Sequence, residues 1–261
     1  MKPTILLTND DGFESNGLKA LKEALKPLAK VITVAPTLEK SACGHSLTLT
    51  RPLRFIELEE DFYKLDDGTP SDCVFLSLTK LFKENKPNLV VSGINVGANL
   101  GEDITYSGTV SAAMEAVLQG IPAFAFSQVY NKNSDNLNNL DYSYAQEVAY
   151  YLIKKFFTQG APLNDRKFLN INIPPINLAK KELKITHAGR RAYGFDAKVH
   201  FNPRGQEYYW IGLPKMQWEK THNPKHDYSD IEAIADGYTS VTPIHLDMTH
   251  YESIQKVQKW L

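Results

Sequence analysis

The run Thr4-Ile5-Leu6-Leu7-Thr8, followed at once by Asn9-Asp10-Asp11-Gly12, constrains this chain more than any other stretch. The apolar part is too short for a helix and suits a buried pleated strand. Behind it an amide, two carboxylates and a glycine place charge at the strand's carboxyl end, which in an open α/β sheet is the rim where ligands bind. Adjacent carboxylates hold each other's protons unless a cation lies between them, so a metal site is the first expectation. The competing reading is structural: one Asp caps the next helix and its neighbour faces solvent.

Leu18, Leu21, Leu25 and Leu28 then recur at helical spacing, and Val31-Ile32-Thr33-Val34-Ala35 is a second β-branched run. Strand, loop, helix and strand in that order open a right-handed parallel unit. The loop 36–46 carries Ser41, Cys43, Gly44 and His45 and leaves the second strand at the same rim as Asp10 and Asp11. Strands are predicted at 47–50, 53–58 and 62–65, as an antiparallel meander. Thr69-Pro70-Ser71-Asp72 has the cap, the first-turn proline and the early acid of a helix start, and Val74, Leu78, Leu81 and Phe82 continue that helix. Leu89-Val90-Val91-Ser92-Gly93 and Pro122-Ala123-Phe124-Ala125-Phe126 are further strands, and 168–173 alternates as a sheet strand until Pro174-Pro175 stops it. Between these last two lie a polar loop, 131–139, and a helix capped by Asp141 with Tyr144, Val148, Leu152 and Phe156 on one face.

The fold class expected is α/β: a Rossmann-like domain over 1–175 with a mostly parallel central sheet and flanking helices, then a smaller irregular part over 176–261. In the latter, 183–186, 208–211 and 238–243 are predicted strands, 230–237 and 250–261 helices, and 216–227 an exposed polar arm. A chain of 261 residues buries roughly 70–75% of its unfolded surface, so no disulfide is needed to fold it. Cys43 and Cys73 form neither a close pair nor a framework and read as reduced thiols. A formal charge of −1 with no block of basic residues argues against a nucleic-acid polymer as partner. Met1 leads directly into the first strand, with no leader-like segment and no apolar run of ~18 residues; a cytoplasmic protein without a membrane partner is expected.

The second informative stretch is Ser92-Gly93-Ile94-Asn95-Val96-Gly97-Ala98-Asn99-Leu100-Gly101, with Tyr106-Ser107-Gly108-Thr109 opening a helix that runs to Leu118. Bare glycines and a helix start present unpaired N–H groups and partial positive charge, which suit a phosphate. The structural alternative is that Ser107 or Thr109 only caps the helix and the glycines only shape turns. Asp10, Asp11, Ser41, Asn95 and Asn99 all follow strand ends, so one sheet brings them to one rim. An all-oxygen donor set with two charges suits Mg²⁺ or Mn²⁺, whereas zinc favours His and Cys. Metal-assisted phosphoryl chemistry is the reaction such a rim supports.

The segments Leu7-Thr8-Asn9-Asp10-Asp11-Gly12, Gly68-Thr69-Pro70-Ser71-Asp72-Cys73-Val74, Ser92-Gly93-Ile94-Asn95 with Asn99-Leu100-Gly101, Tyr106-Ser107-Gly108-Thr109, and the run from Gly237 to Pro243 resemble the SurE family, the survival protein E phosphatases that act as 5′-nucleotidases. The resemblance covers nearly the whole chain; departures such as Ser71, Ser111 and Ser229-Asp230 touch no expected ligand. It implies hydrolysis of nucleoside 5′-monophosphates, and leaves 3′-monophosphates and polyphosphate open as further substrates. It also implies one divalent metal ion, and a dimer or tetramer in which a carboxyl-terminal arm exchanges between subunits. By position it implies Asp10, Asp11, Ser41 and Asn95 as metal ligands and Asn99, Ser107, Gly108 and Thr109 as the phosphate cradle. It gives Cys43 and His45 no role, and a polar-loop His is read as solvated. Two other readings stand beside it. One is a covalent aspartyl phosphate on Asp10 or Asp11. The other is a non-catalytic module, either nucleotide-sensing or receiver-like, although the strand ending at Ser92-Gly93 lacks the acceptor Asp a receiver needs.

Overall fold

The structure is a computed structural model and describes residues 2–131, 140–163, 165–192, 197–211, 217–219 and 228–261. Most of the polar loop 131–139 and of the expected arm 216–227 therefore lies outside the described residues. A nine-stranded sheet dominates the molecule. In chain order it contains β1 (Thr4–Thr8), β2 (Lys30–Pro36), β3 (Arg54–Glu59), β4 (Phe62–Asp66) and β5 (Leu89–Val96). Then follow β6 (Ala123–Gln128), β7 (Lys167–Ile173), β8 (Leu183–Ile185) and β13 (Thr239–His245). Across the sheet they stand in the order β3-β4-β2-β1-β5-β6-β7-β13-β8. The central neighbours β2, β1, β5, β6 and β7 are parallel, and β3 and β13 run antiparallel to β4 and β7. The expected mostly parallel sheet with flanking helices is thus the observed one.

Helices cover both faces, as a parallel sheet requires. On one face α1 (Asn16–Leu25) and α4 (Ser143–Gln159) pack Leu18, Leu21, Leu25, Val148 and Ile153 against Ile5, Leu7, Val91 and Phe126. On the other, α2 (Pro70–Lys80) and α3 (Gly108–Leu118) pack Val74, Val110, Ala113 and Ala116 against Leu6, Val90 and Ala125. The near-continuous apolar character of β1 and β5 follows, since each is covered on both sides. Local chemistry sets the helix starts: Thr69 Oγ1 accepts from Asp72 N–H and the Asp72 carboxylate accepts from Thr69 N–H, a reciprocal cap that satisfies two orphan donors. The α4 cap falls one residue later than predicted, on Tyr142, with Asp141 Oδ1 accepting from Ser143 N–H at 2.8 Å.

The structure departs from two expectations of the sequence. Segment 47–50 is not a strand: Thr48 gives both its N–H and its hydroxyl to Asp72, at 2.9 and 2.6 Å, so a side chain replaces the sheet neighbour. The meander is only half antiparallel, because β4 lies parallel to β2. β7 is the strand its alternation predicts, and it lies between β6 and β13 with even Asn170 and Asn172 fully buried. The sheet also crosses residue 175. Strands β13 and β8 complete it, and α5 (Asp230–Ala235) packs on β13. The short strands β9 (Arg190–Ala192) and β12 (Gln217–Glu219) pair apart from it, as do β10 (Ala197–Phe201) and β11 (Glu207–Ile211). The tail helix α6 (Tyr251–Trp260) buries none of its residues. Among the described residues no helix is long and apolar enough to cross a membrane.

Candidate functional site

Because β1 and β5 are neighbouring parallel strands, with Thr8 opposite Ser92, whatever follows them emerges side by side. After β1 come Asp10, 4% exposed, and Asp11, partly buried. Asp11 Oδ2 accepts from Val96 N–H at 3.2 Å, which sets it against the Asn95-Val96 end of β5. Asp10 meets the start of α3: its carboxylate accepts from both the N–H and the hydroxyl of Thr109. Gly108 makes this approach possible, since a Cβ there would lie 2.7 Å from Asp10 Cβ and 3.0 Å from Asp10 Oδ2. Ser107 is the N-cap, its Oγ accepting from Val110 N–H at 3.1 Å, which leaves its hydroxyl hydrogen available to donate.

The electrostatics of this corner are lopsided. Burial holds the Asp10 carboxyl above its ordinary range, only partly offset by the Thr109 bonds. Burial, then the charge of Asp10, push Asp11 up to about 7. Among the described residues no Lys, Arg or His makes a salt bridge to either acid. Glu39 adds further negative charge nearby, and Tyr142, raised to about 12 by burial and then by Asp11, stays a neutral phenol. Buried paired carboxylates without a cation are unstable company for each other. Beside them, Asn95 donates from Nδ2 to Gly97 O at 3.0 Å, which turns its Oδ1 the other way. A divalent cation fits this donor set, because its charge relieves the repulsion and the two carboxylates and the Asn95 amide offer hard oxygen donors. Among the described residues there is no cluster of three or more His, Cys, Asp or Glu side chains that could hold a metal, so neutral oxygens must supply the remainder of any shell.

The loop carrying Ser41 reaches this corner through its backbone, Lys40 N–H donating to Asp10 O at 2.7 Å. The Ser41 side chain itself is exposed and donates to Glu39 Oε1 at 2.6 Å rather than to either acid. Asn99 is buried and faces the far side of the rim: its Nδ2 donates to Ser127 Oγ at 2.7 Å, its N–H donates to Asn172 Oδ1 at 2.9 Å, and its carbonyl accepts from Asn170 and Asn172. Thus Asp10 meets Gly108 and Thr109 directly, Asp11 meets the Asn95-Val96 end of β5, Ser107 adjoins Gly108, and Ser41 and Asn99 connect through other groups. Thr109 gives its hydroxyl to Asp10 rather than offering it to a ligand.

Sequence reasoning missed two sets of partners. His45, expected to be solvated, bonds through Nε2 to Glu115 Oε2 at 2.9 Å. Glu115 is 3% exposed on α3, and although burial pushes its carboxyl up, the bonds from His45 and Gln119 outweigh that and leave it below the ordinary range. The signal was available: a lone acid in the small, apolar run of α3 must find a partner. With Gly44 N–H donating to Tyr106 O at 3.0 Å, this pair staples loop 40–46 onto α3. His45→Ala is expected to destabilise the protein by about 1–3 kcal/mol near neutral pH. Because the folded pKa of Glu115 is lowered, that stabilisation is present above the unfolded value and lost as pH falls through the folded one, so thermal melts of wild type and variant should converge in acid. The other missed partners are Asn170 and Asn172, which hold Asn99. Cys43, whose Sγ lies 3.1 Å from the Cβ position of Gly108, is pushed up to about 11 by burial and then by Asp10, and so remains a thiol.

Comparison with known proteins places this geometry among relatives. The family model described as Survival protein SurE matches residues 5–195. The 5′-nucleotidase SurE of Sulfurovum sp. (strain NBC37-1) is 61% identical over 259 residues, 98% of this chain and 97% of that protein. The 5′-nucleotidase SurE of Helicobacter hepaticus is 55% identical over 261 residues, 98% of each. The crystal structure of the SurE protein from Aquifex aeolicus superposes with a TM-score of 0.81 at 42% identity, covering 99% of both chains. With the match spanning most of its length, and with the acids after β1 meeting the turn before α3, the chain belongs to the SurE family.

Proposed function

We propose that this protein is a metal-dependent 5′-nucleotidase that releases phosphate from nucleoside 5′-monophosphates. The observation that carries the reading is the adjacent Asp10-Asp11 pair, unmatched by any described basic side chain, with buried Asp10 against the start of α3 and partly buried Asp11 against the end of β5. The relatives named 5′-nucleotidase SurE support it. Asp10, Asp11, Ser41 and Asn95 would hold one Mg²⁺ or Mn²⁺ ion, with Ser41 turning from Glu39 to do so. When bound, the ion supplies charge neutralisation at the ester oxygens and acidifies a water.

The chain's own groups do the rest. The Thr109 N–H and hydroxyl fix Asp10 in one orientation, and Val96 N–H does the same for Asp11. The Gly108 N–H and the Ser107 hydroxyl, at the positive end of α3, bind phosphate oxygens where the helix start favours negative charge. Asn99 borders that cradle from the β6–β7 side. Water then attacks phosphorus in line and the nucleoside leaves. Since monoester hydrolysis is among the slowest uncatalysed reactions, most of the acceleration comes from placing fixed positive charge around these oxygens.

Phosphate release from AMP and GMP with and without Mn²⁺ tests the reading, and tight AMP binding without turnover would replace it with the nucleotide-sensing alternative. Adding 3′-AMP and polyphosphate to the panel tests the wider range, and acid-stable label on the protein would reveal an aspartyl phosphate. A pH signature follows from the raised acids. A cation competes with a proton on Asp11, whose folded pKa is about 7, so the rise in Tm on adding Mn²⁺ should be large at about pH 8 and shrink by about pH 6. An equal rise at both would remove Asp11 from the ion's shell.

Self-association belongs to the same proposal. Tyr251, Ile254, Val257 and Trp260 on α6 are each about half exposed or more, as are Phe201, Tyr209 and Trp210 on the β10–β11 hairpin. Apolar faces of this kind are covered in an oligomer, so the region 176–261 holds dimers or tetramers together, with an arm exchanged between subunits. Light scattering would give the subunit count, and a monomer at micromolar concentration would refute it.

A further inference from the structure

The segment between Asn99 and Ser107 spans the rim from the β7 asparagines to the start of α3, and one buried acid outside the catalytic corner grips its middle. Asp230, at the start of α5, is fully buried. Its Oδ2 accepts from Gly101 N–H at 2.8 Å, and its Oδ1 accepts from the N–H groups of Gly189 and Ile231, both at 2.9 Å. The fit around it is close: a Cβ on Gly101 would lie 2.6 Å from Gly189 O, and one on Gly189 would lie 2.1 Å from Ile231 Cδ1. Next to this hub Arg191 pairs with Asp103, and its N–H donates to Glu102 Oε2 at 3.3 Å. Both acids belong to the single 3₁₀ turn over Gly101–Thr105 that leads to Tyr106 and Ser107.

We infer that Asp230 is a positioning residue for phosphate binding: by holding the Gly101 and Gly189 amides it clamps the 99–107 segment from the carboxyl-terminal side, so that Asn99 and Ser107 keep their separation. A buried carboxylate with three backbone donors is a costly way merely to start the six-residue helix α5, whose cap Ser229 already accepts from Glu232 N–H. Two of those donors lie outside α5, and one belongs to the segment joining the two sides of the phosphate cradle. The inference rests on the functional reading above and adds residues 189–191 and 230 to the site's frame.

Two variants test it by different routes. Asp230→Asn loses one acceptor and turns an amide N–H₂ toward a backbone donor. Gly101→Ala keeps the acid but drives a Cβ into Gly189 O, at a residue with φ +54°. In both, KM for AMP and the inhibition constant for inorganic phosphate are expected to rise about tenfold, with kcat falling less. A role confined to stability would lower the active fraction, reducing apparent kcat with KM unchanged, and that result overturns the clamp. Equilibrium binding of inorganic phosphate separates the two claims. Wild-type protein that binds no phosphate refutes the functional reading itself, whereas variants that bind it as tightly as wild type refute the clamp alone. If Asp230→Asn does not fold, Gly101→Ala decides by the same criteria.

Discussion

Asp10→Asn and Asp11→Asn are each expected to cut phosphate release from AMP by roughly 10³-fold or more, because each removes charge from the position where a divalent ion and the ester oxygens meet. The fold should survive both. The amide introduced by Asp10→Asn keeps an oxygen for the Thr109 N–H and hydroxyl, and the one introduced by Asp11→Asn keeps an oxygen for Val96 N–H. The sign of the stability effect is itself diagnostic. Both acids have folded pKa values raised above the unfolded one, so without a cation their ionisation works against the folded state as pH rises. The metal-free amide variants should therefore melt no lower than wild type near neutral pH, and should gain less from Mn²⁺. Steady-state rates and melts on the same preparations check this. A variant within threefold of the wild-type rate would remove that carboxylate from the mechanism.

Gly108→Ala is expected to lower kcat/KM by about 10²-fold, through geometry rather than charge. The added methyl would sit 2.7 Å from Asp10 Cβ and 3.1 Å from Cys43 Sγ, closer than carbon atoms pack. Asp10 has little room to retreat, since it is buried and lies two residues beyond β1, which is paired on both sides. The start of α3 or the loop at Cys43 must move instead, and either shift separates the helix start from Asp10. Overpacking of this kind costs about 1–3 kcal/mol of stability, so Tm should fall by several degrees while the protein stays folded at assay temperature. Cys43→Ala should recover little of the activity, because the nearest obstacle is Asp10 itself. Wild-type kcat/KM in Gly108→Ala would mean that the approach of Asp10 to this turn has no part in the reaction.

These two corners differ in how far the sequence revealed them. The acids were legible because a short apolar run fixes a buried strand, and chain connectivity alone puts the next residues at its carboxyl end. The Ser107 turn was legible as a helix start, because a capping hydroxyl favours one, while a phosphate contact there was one of two open readings. The family resemblance put Thr109 in the candidate site, yet its bond to Asp10 was not legible, since it joins residues 99 positions apart. His45 and Glu115, 70 positions apart, were hidden in the same way. The burial of Asn170 and Asn172 was hidden too: alternation marks 168–173 as a strand, but it reads the same whether one face is wet or, as in β7, both are covered.

From its residues alone, then, this chain determined the strand endings, the helix starts and the oxygen-rich character of the rim, because those follow from local sterics, capping and burial of short apolar runs. Tertiary structure decided which groups meet. The antiparallel return of β13 beside β7 draws the region after residue 175 into the sheet and carries Asp230 under the 99–107 segment. Pairings over such distances depend on the register of whole strands, and no local pattern encodes that.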